Sequence, residues 1–384
     1  MKYNFDEVIS RENTASVKWD VATEVNGRKV LPYWIADLDF KAPVEVIDAL
    51  HKRVEHGIFG YTSYSKTLIP TFKSWVIKKY GWNIEDEWIN YTPGIVSAIL
   101  YSIECFTKEG DGVLVLSPIY PPFLQAPKDT NRKVIESELI LNNGKYEIDF
   151  DDFEEKVKNA KLFLLSNPHN PSGRVFTKEE LEKLGNICAK NNVLIVSDEI
   201  HSDIIFKGHK HIPLASINED IKNITVSCYS ASKTFSLAGL IASVIVIPNK
   251  DMNDKFKEYL RVWHVSVNVL GKVALEAAYQ YGEDYLNQLN DYLESNRDFL
   301  VDYLSKHTPK IKPIKPEGTY LVWLDCRELN LNDKELKDFF TNAGVELNEG
   351  NAYGDAGKGF MRFNIGCPRE TLIKGLERIK NAYK

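Results

Sequence analysis

The sequence predicts an α/β protein: a mostly parallel sheet between helices, followed by a smaller α+β unit. Three observations carry this reading. Short β-branched apolar runs alternate with amphipathic helical stretches between about Asn90 and Ile247. The alternation gives way after Lys250 to a long region of helical period. Beyond Pro309, Pro313 and Pro316 a second, shorter alternation begins. Strands alternating with helices imply parallel β-α-β units, and such a sheet needs cover on both faces.

Taken in order, the strand runs are Gly112 to Leu116, Leu162 to Leu165, Val193 to Val196, Ile224 to Val226 and Val244 to Ile247. Each is rich in β-branched or leucine residues and ends in a polar turn. Between them lie stretches such as Lys178 to Lys190, where Leu181, Leu184, Ile187 and Cys188 fall on one helical face. The region Lys255 to Lys306 reads as long helix. The last part reads as strand (Thr319 to Asp325), helix (Asp333 to Ala343), strand (Gly359 to Ile365) and helix (Glu370 to Tyr383).

At 384 residues the chain can bury a large core, and two domains are expected. A net charge of −6 with no basic run argues against nucleic acid and anionic membranes as partners. Five scattered cysteines with no CxxC pair argue against a disulfide framework or a metal site. Met1 to Asp20 is polar and no run of 18 apolar residues exists, so neither a secretory leader nor a membrane span is expected. The expected location is cytoplasmic.

Ligands of parallel sheets bind beyond the carboxyl ends of the strands. Those ends carry Ser166-Asn167-Pro168-His169-Asn170-Pro171-Ser172-Gly173, Ser197-Asp198-Glu199-Ile200-His201 and Ser230-Ala231-Ser232-Lys233-Thr234. Tyr91-Thr92-Pro93-Gly94 leads into a helix near Ile95. An amide, a carboxylate, a lysine among hydroxyls and a helix N-terminus could therefore meet in one cleft. The set suits a phosphorylated pyridine aldehyde. A lysine amine forms a Schiff base with a carbonyl, and a carboxylate favours a protonated pyridine nitrogen. Helix-start amides and hydroxyls suit a phosphate.

Each residue also has a plainer reading. Lys233 could be a surface lysine and Asp198 a helix cap. Asn170 could be a turn residue, His201 and the tyrosines packing groups, Arg362 a salt-bridge partner, and Gly94 a helix-entry glycine.

The motifs weigh against those readings together. Asn167 to Gly173, Ser197 to His201 and Ser230 to Phe235 resemble, in order, the signatures of fold-type I pyridoxal phosphate (PLP) enzymes, the aspartate aminotransferase superfamily. The gaps agree: 28 residues from Asn170 to Asp198, 35 from there to Lys233. Lys18-Trp19-Asp20, Leu31 to Phe40, Gly57 to Tyr61 and Ala238-Gly239-Leu240 narrow the resemblance to the MalY/PatB family, the cystathionine β-lyase branch of C–S lyases.

The resemblance implies a PLP-dependent transferase-like fold, with a seven-stranded, mostly parallel sheet in a large domain over residues 48–285. Residues 1–47 and 286–384 would form the small domain. Lys233 would hold PLP and shuttle a proton. Asp198 would pair with the ring nitrogen, Asn170 with the ring oxygen, with His201 near it, and Tyr120 would stack on the ring. Gly94, Ile95, Val96, Ser230 and Ser232 would hold the phosphate. Tyr61 would reach the phosphate of a neighbouring subunit, making a homodimer part of the site. Arg362, with Asn170 and Ala36, would bind the substrate carboxylate. One position departs from the aminotransferase pattern: Ile241, eight residues after Lys233, stands where many aminotransferases place an arginine.

The implied activity is α,β-elimination from a sulfur-bearing amino acid, giving thiol, pyruvate and ammonia. The rival is an aminotransferase, and a third class is a binding or regulatory protein on the same fold. The intact set of Lys233, Asp198, Asn170 and Arg362 argues against the last.

Overall fold

A computed structural model describes residues 2–21, 24–25 and 28–383. Its centre is a seven-stranded sheet: β1 (Ile89–Thr92), β2 (Gly112–Ser117), β3 (Lys133–Glu138), β4 (Leu162–Ser166), β5 (Leu194–Asp198), β6 (Thr225–Tyr229) and β7 (Ser243–Val246). The spatial order is β1-β7-β6-β5-β4-β2-β3. The five strands from β3 to β6 pair in parallel, with Asp198 level with Ser166 on one side and Cys228 on the other. Their side chains are buried on both faces in β2, β4 and β6, which is why these strands read as unbroken apolar runs rather than alternating ones.

Three details differ from the sequence reading. β7 runs antiparallel to both neighbours; β6 reaches it without a crossover helix, so no parallel return is built. β3 and β1 were not among the expected runs, because β3 is an edge strand of alternating polar residues, Lys-Val-Ile-Glu-Ser-Glu, and β1 is four residues long. The region read as one long helix is three: Lys250–Val262, Val269–Tyr281 and Glu283–His307. The first break follows the left-handed His264 (φ 50°) and ends where Asn268 caps the next helix by accepting from the Gly271 N–H. The second is at Gly282.

The C-terminal unit is an antiparallel sheet of β8 (Lys312–Ile314), β9 (Leu321–Asp325), β10 (Asn348–Glu349) and β11 (Phe360–Asn364), in the order β8-β9-β11-β10. Helices Asp333–Asn342 and Arg369–Ala382 accompany it. Capping boxes, Thr177 with Glu180 and Asn332 with Glu335, fix two helix starts.

Two features join the units. One apolar cluster runs from Val244 on the large sheet, with Phe72 and Tyr279 on helices packed in the same cluster, to Leu321, Phe363 and Leu376. The N-terminal segment lies along the smaller unit, where Leu31–Pro32 pairs in parallel with Val345–Glu346. All five cysteines are free and buried. No helix among the described residues is long and apolar enough to cross a membrane.

Candidate active site

The carboxyl ends of β4, β5 and β6 face a cavity of about 370 Å³. Its lining includes Ala36, Gly94, Ile95, Val96, Tyr120, Asn170, Asp198, His201, Ser230, Ser232, Lys233 and Ile241. Of the residues singled out from the sequence, only Tyr61 and Arg362 are absent from that lining.

Asp198 ends β5, and its carboxylate accepts the Ile200 N–H at 3.1 Å. That bond closes a turn rather than capping a helix, since no helix follows Asp198, and the residue lines the cavity. Burial pushes its carboxyl up to about 7, against the pull of that bond and of Lys233. Lys233 donates to the Ala36 carbonyl at 2.5 Å. Burial draws its ammonium down to about 8, helped by the Arg362 charge and opposed by Asp37 and Asp198. An ammonium that gives up its proton near pH 8 reaches the nucleophilic, basic amine at far lower cost than an ordinary lysine. The next residue anchors the loop: the Thr234 hydroxyl donates to buried Asp203 at 3.0 Å.

His201 is buried and neutral, drawn down to about 3 by burial and by the Lys233 and Arg362 charges. Its Nδ1 finds no partner within the chain, and its ring meets Tyr320 edge-on at 5.8 Å. Tyr120 caps helix Pro121–Asp129 and its N–H donates to the Asn170 carbonyl at 3.1 Å. Burial raises its hydroxyl above the ordinary value.

Helix Ile95–Phe106 begins at Gly94 (φ 89°, ψ 162°) with no side-chain cap. The first backbone bond back to Gly94 comes from Ala98, so the amides of Ile95, Val96 and Ser97 remain free at the cavity. A Cβ at residue 94 would stand 3.3 Å from the Ile241 side chain. Beside this opening, the Ser230 hydroxyl donates to the Ala242 carbonyl at 2.7 Å and lies 2.9 Å from the Ser232 hydroxyl, which can donate to it.

Arg362, on β11, is buried. It donates to Asn170 Oδ1 at 3.1 Å and to the Trp34 carbonyl at 2.7 Å, leaving Nε without a partner. Its guanidinium lies 5.3 Å from the centroid of the Tyr353 ring. Asn348 pairs with Arg362 across β10 and β11. With its amide turned to satisfy both ends, it donates to the Trp34 carbonyl at 3.0 Å and accepts from Arg362 at 3.2 Å.

Residues 34–39 bring Ala36 to the cavity and are pinned from three sides. Asn364 donates to the carbonyls of Ile35 and Asp37 at 2.6 and 2.8 Å. The Tyr320 hydroxyl donates to the Ala36 carbonyl at 3.0 Å. Buried Lys18 binds Asp39 at 2.8 Å and Arg11 bridges Asp37 and Asp39 at 2.7 and 2.8 Å. Asn348, Asn364 and Tyr320 were not singled out from the sequence, because a lone amide or phenol in a short strand carries no local signal. On the other side, Gly173 (φ 70°) of the turn bearing Asn170 accepts from Glu317 and Gly318 N–H groups at 2.9 and 3.1 Å. A Cβ there would stand 2.3 Å from Pro316, which is why that motif ends in glycine.

Tyr61 is fully exposed (113%) and outside the cavity of its own chain. No group of His, Cys, Asp and Glu suited to a metal ion occurs among the described residues.

These groups fit PLP. A buried lysine of lowered proton affinity and a buried carboxylate flank the cavity, free helix-start amides and serine hydroxyls form its neutral end, and an unpartnered imidazole nitrogen completes it. A lysine, carboxylate and arginine at the carboxyl edge of such a sheet define an enzyme site for a charged small molecule. The chain belongs to the class I and II aminotransferase family, whose profile matches residues 36–379. It is 42% identical to cystathionine β-lyase PatB of Bacillus subtilis over 99% of both chains. It is 31% identical to protein MalY of Escherichia coli over 100% of this chain and 99% of that one. Among solved structures, cystalysin of Treponema denticola, which contains PLP, superposes with a TM-score of 0.95 at 36% identity, covering 100% and 99% of the two chains. A PLP-bound C–S lyase of Staphylococcus hominis gives 0.91 at 36%, covering 100% and 98%.

Proposed function

We propose that this protein is a PLP-dependent C–S lyase of the cystathionine β-lyase type. It converts a thioether amino acid and water into a thiol, pyruvate and ammonia. The observation that carries the reading is the buried Lys233 amine, which shares one cavity with Asp198 and Asn170, while Arg362 donates to Asn170 from outside that lining. PLP supplies an electron sink next to the substrate Cα.

The chain's own groups do the rest. Lys233 holds the cofactor until the substrate amine replaces it. Its freed amine then takes the Cα proton and can return a proton to the departing sulfur. With PLP bound, Asp198 would pair with the ring nitrogen and favour its protonated form. Asn170 and His201 would serve the ring oxygen and Tyr120 would cover the ring. Gly94, Ile95, Val96, Ser230 and Ser232 would hold the phosphate. Arg362 gives up bonds within the chain to grip the substrate carboxylate, with Ala36 alongside. Water enters to hydrolyse the three-carbon remainder after the thiol has left.

Two further parts belong to the proposal. Residues 48–285 form the large unit, and residues 1–47 with 286–384 the small one. The enzyme works as a homodimer in which Tyr61 serves the neighbouring subunit's phosphate site. Support comes from its full exposure beside exposed Ile58 (67%) and Phe59 (55%), since such apolar patches mark contacts.

The test is purified protein loaded with PLP and given cystathionine, with pyruvate and thiol measured together. Equimolar release of both is expected, and Lys233→Ala should remove it along with the yellow absorbance. Pyridoxamine phosphate building up from an amino donor, with no thiol from any thioether or disulfide amino acid, would assign the chain to the aminotransferases.

A further inference from the structure

Helix Val269–Tyr281 grips the segment that follows Tyr61. Lys272 is only 9% exposed. Its ammonium donates to the Thr62 carbonyl and lies 4.3 Å from the centroid of the Tyr64 ring. One turn on, Glu276 accepts from the Ser65 hydroxyl at 2.6 Å and from the Thr67 hydroxyl. This i, i+4 pair offers a cation and an anion from one helix face. Tyr64 stacks on Tyr91 of β1 at 4.0 Å and 19°, which ties the segment to the strand leading into Gly94. Ahead of Tyr61, Arg53 donates to the Ile58 carbonyl at 2.8 Å.

Between these anchors the apolar side chains turn outward. A charge removed from water to hold a surface segment costs free energy. Burial indeed draws Lys272 below its ordinary value. Meanwhile the phosphate end of the cavity has no arginine, and Lys233 is the single basic residue in the lining. A doubly charged phosphate there meets only neutral donors, so one more hydroxyl has a large effect.

We propose that Lys272 and Glu276 are positioning residues that present Tyr61, already ordered, to the phosphate end of a second copy's cavity. This rests on the dimer reading given above. An ordered donor binds more tightly than one that must be immobilised on contact. Cofactor retention and dimerisation are then linked, and each strengthens the other.

The experiment measures the Kd of PLP for the full chain stripped of cofactor, by absorbance titration, with dimer mass by sedimentation in parallel. Tyr61→Phe removes one hydroxyl and keeps the ring. It should raise Kd about tenfold or more, the worth of one hydrogen bond to a charged group. Lys272→Met and Glu276→Gln should each raise it by a similar factor, and Lys272→Arg should recover most of the loss. The Lys272→Met, Tyr61→Phe double variant should bind no worse than the weaker single, because both changes remove the same contact. Should Lys272→Met fail to fold, Ser65→Ala with Thr67→Val removes the partners of Glu276 from the exposed side and should give the same loss. An unchanged Kd for Tyr61→Phe would overturn the Tyr61 reading itself. A loss in Tyr61→Phe without one in the Lys272 and Glu276 variants, or an additive double variant, would overturn the positioning role alone.

Discussion

Burial acts on Asp198 and Lys233 in opposite senses, bringing a carboxyl up to about 7 and an ammonium down to about 8. The first has a consequence for stability. The unfolded carboxyl ionises near 3.8 and the folded one near 7. Between those values the folded chain holds a proton that the unfolded chain has released. Ionisation therefore favours unfolding over that window, and the penalty is complete above it. Asp198→Asn removes the penalty. In the cofactor-free chain its melting temperature should match the wild type near pH 4 and exceed it increasingly up to pH 7 or 8. The limit is about 1.4 kcal/mol for each pH unit separating the two values. Calorimetry across that range checks it, and a difference that stays flat contradicts it. With PLP bound the advantage should shrink, because a cation beside Asp198 makes its charge favourable. The same substitution should abolish lyase activity, a residue kept at the expense of the bare fold's stability.

At the scale of one element, the helix starting at Ile95 owes its free amides to Gly94. A backbone at φ 89° and ψ 162° is essentially closed to other residues. Gly94→Ala should cost about 1–3 kcal/mol of stability and loosen PLP, since the first turn must shift away from the phosphate. Trimming Ile241 to Ala should not restore either property, because relieving the 3.3 Å approach leaves the dihedral strain. Thermal melts and PLP titration of the single and double variants decide between strain and crowding. Much at this scale was legible in sequence. The central apolar runs, the amphipathic stretch Lys178 to Lys190 and the helix start near Ile95 are local signals, and the structure keeps them. What was not legible depended on neighbours: β3 pairs as an edge strand despite its charges, and β7 reverses direction by joining β1.

Across the whole molecule, the segments on which the family resemblance rested at the N-terminus prove to be one ion network. Burial pulls Lys18 down, but Asp39 and Asp37 outweigh it and hold it above its ordinary value. Trp19 adds a bond to Asp39 at 3.0 Å. The network locks residues 11–20 to the segment that carries Ala36, so it ties the chain's start to a site whose lysine lies more than two hundred residues further on. Lys18→Met would leave Asp39 with Arg11 and Trp19 as its remaining partners and should cost about 1–3 kcal/mol, read by chemical denaturation. The Lys18→Met, Asp39→Asn pair should recover part of that loss, whereas an unchanged stability in the single variant would mean that Arg11 and Trp19 alone satisfy Asp39.

Sequence alone determined which polar groups meet: Lys233, Asp198 and Asn170 stand in short motifs at strand ends, and the fold brings all three into one cavity. It also determined the α/β class, since buried parallel strands must be continuously apolar. Tertiary structure alone decided how Arg362 is held, through Asn348 and the Trp34 carbonyl, and what pins the segment that brings Ala36 to the cavity. It also decided that Tyr61 faces away from its own site. Those contacts join segments hundreds of residues apart through single polar atoms. Such atoms leave no periodic or compositional trace in the chain, and folding brings them together only because the apolar clusters beneath have already set the distance between the two units.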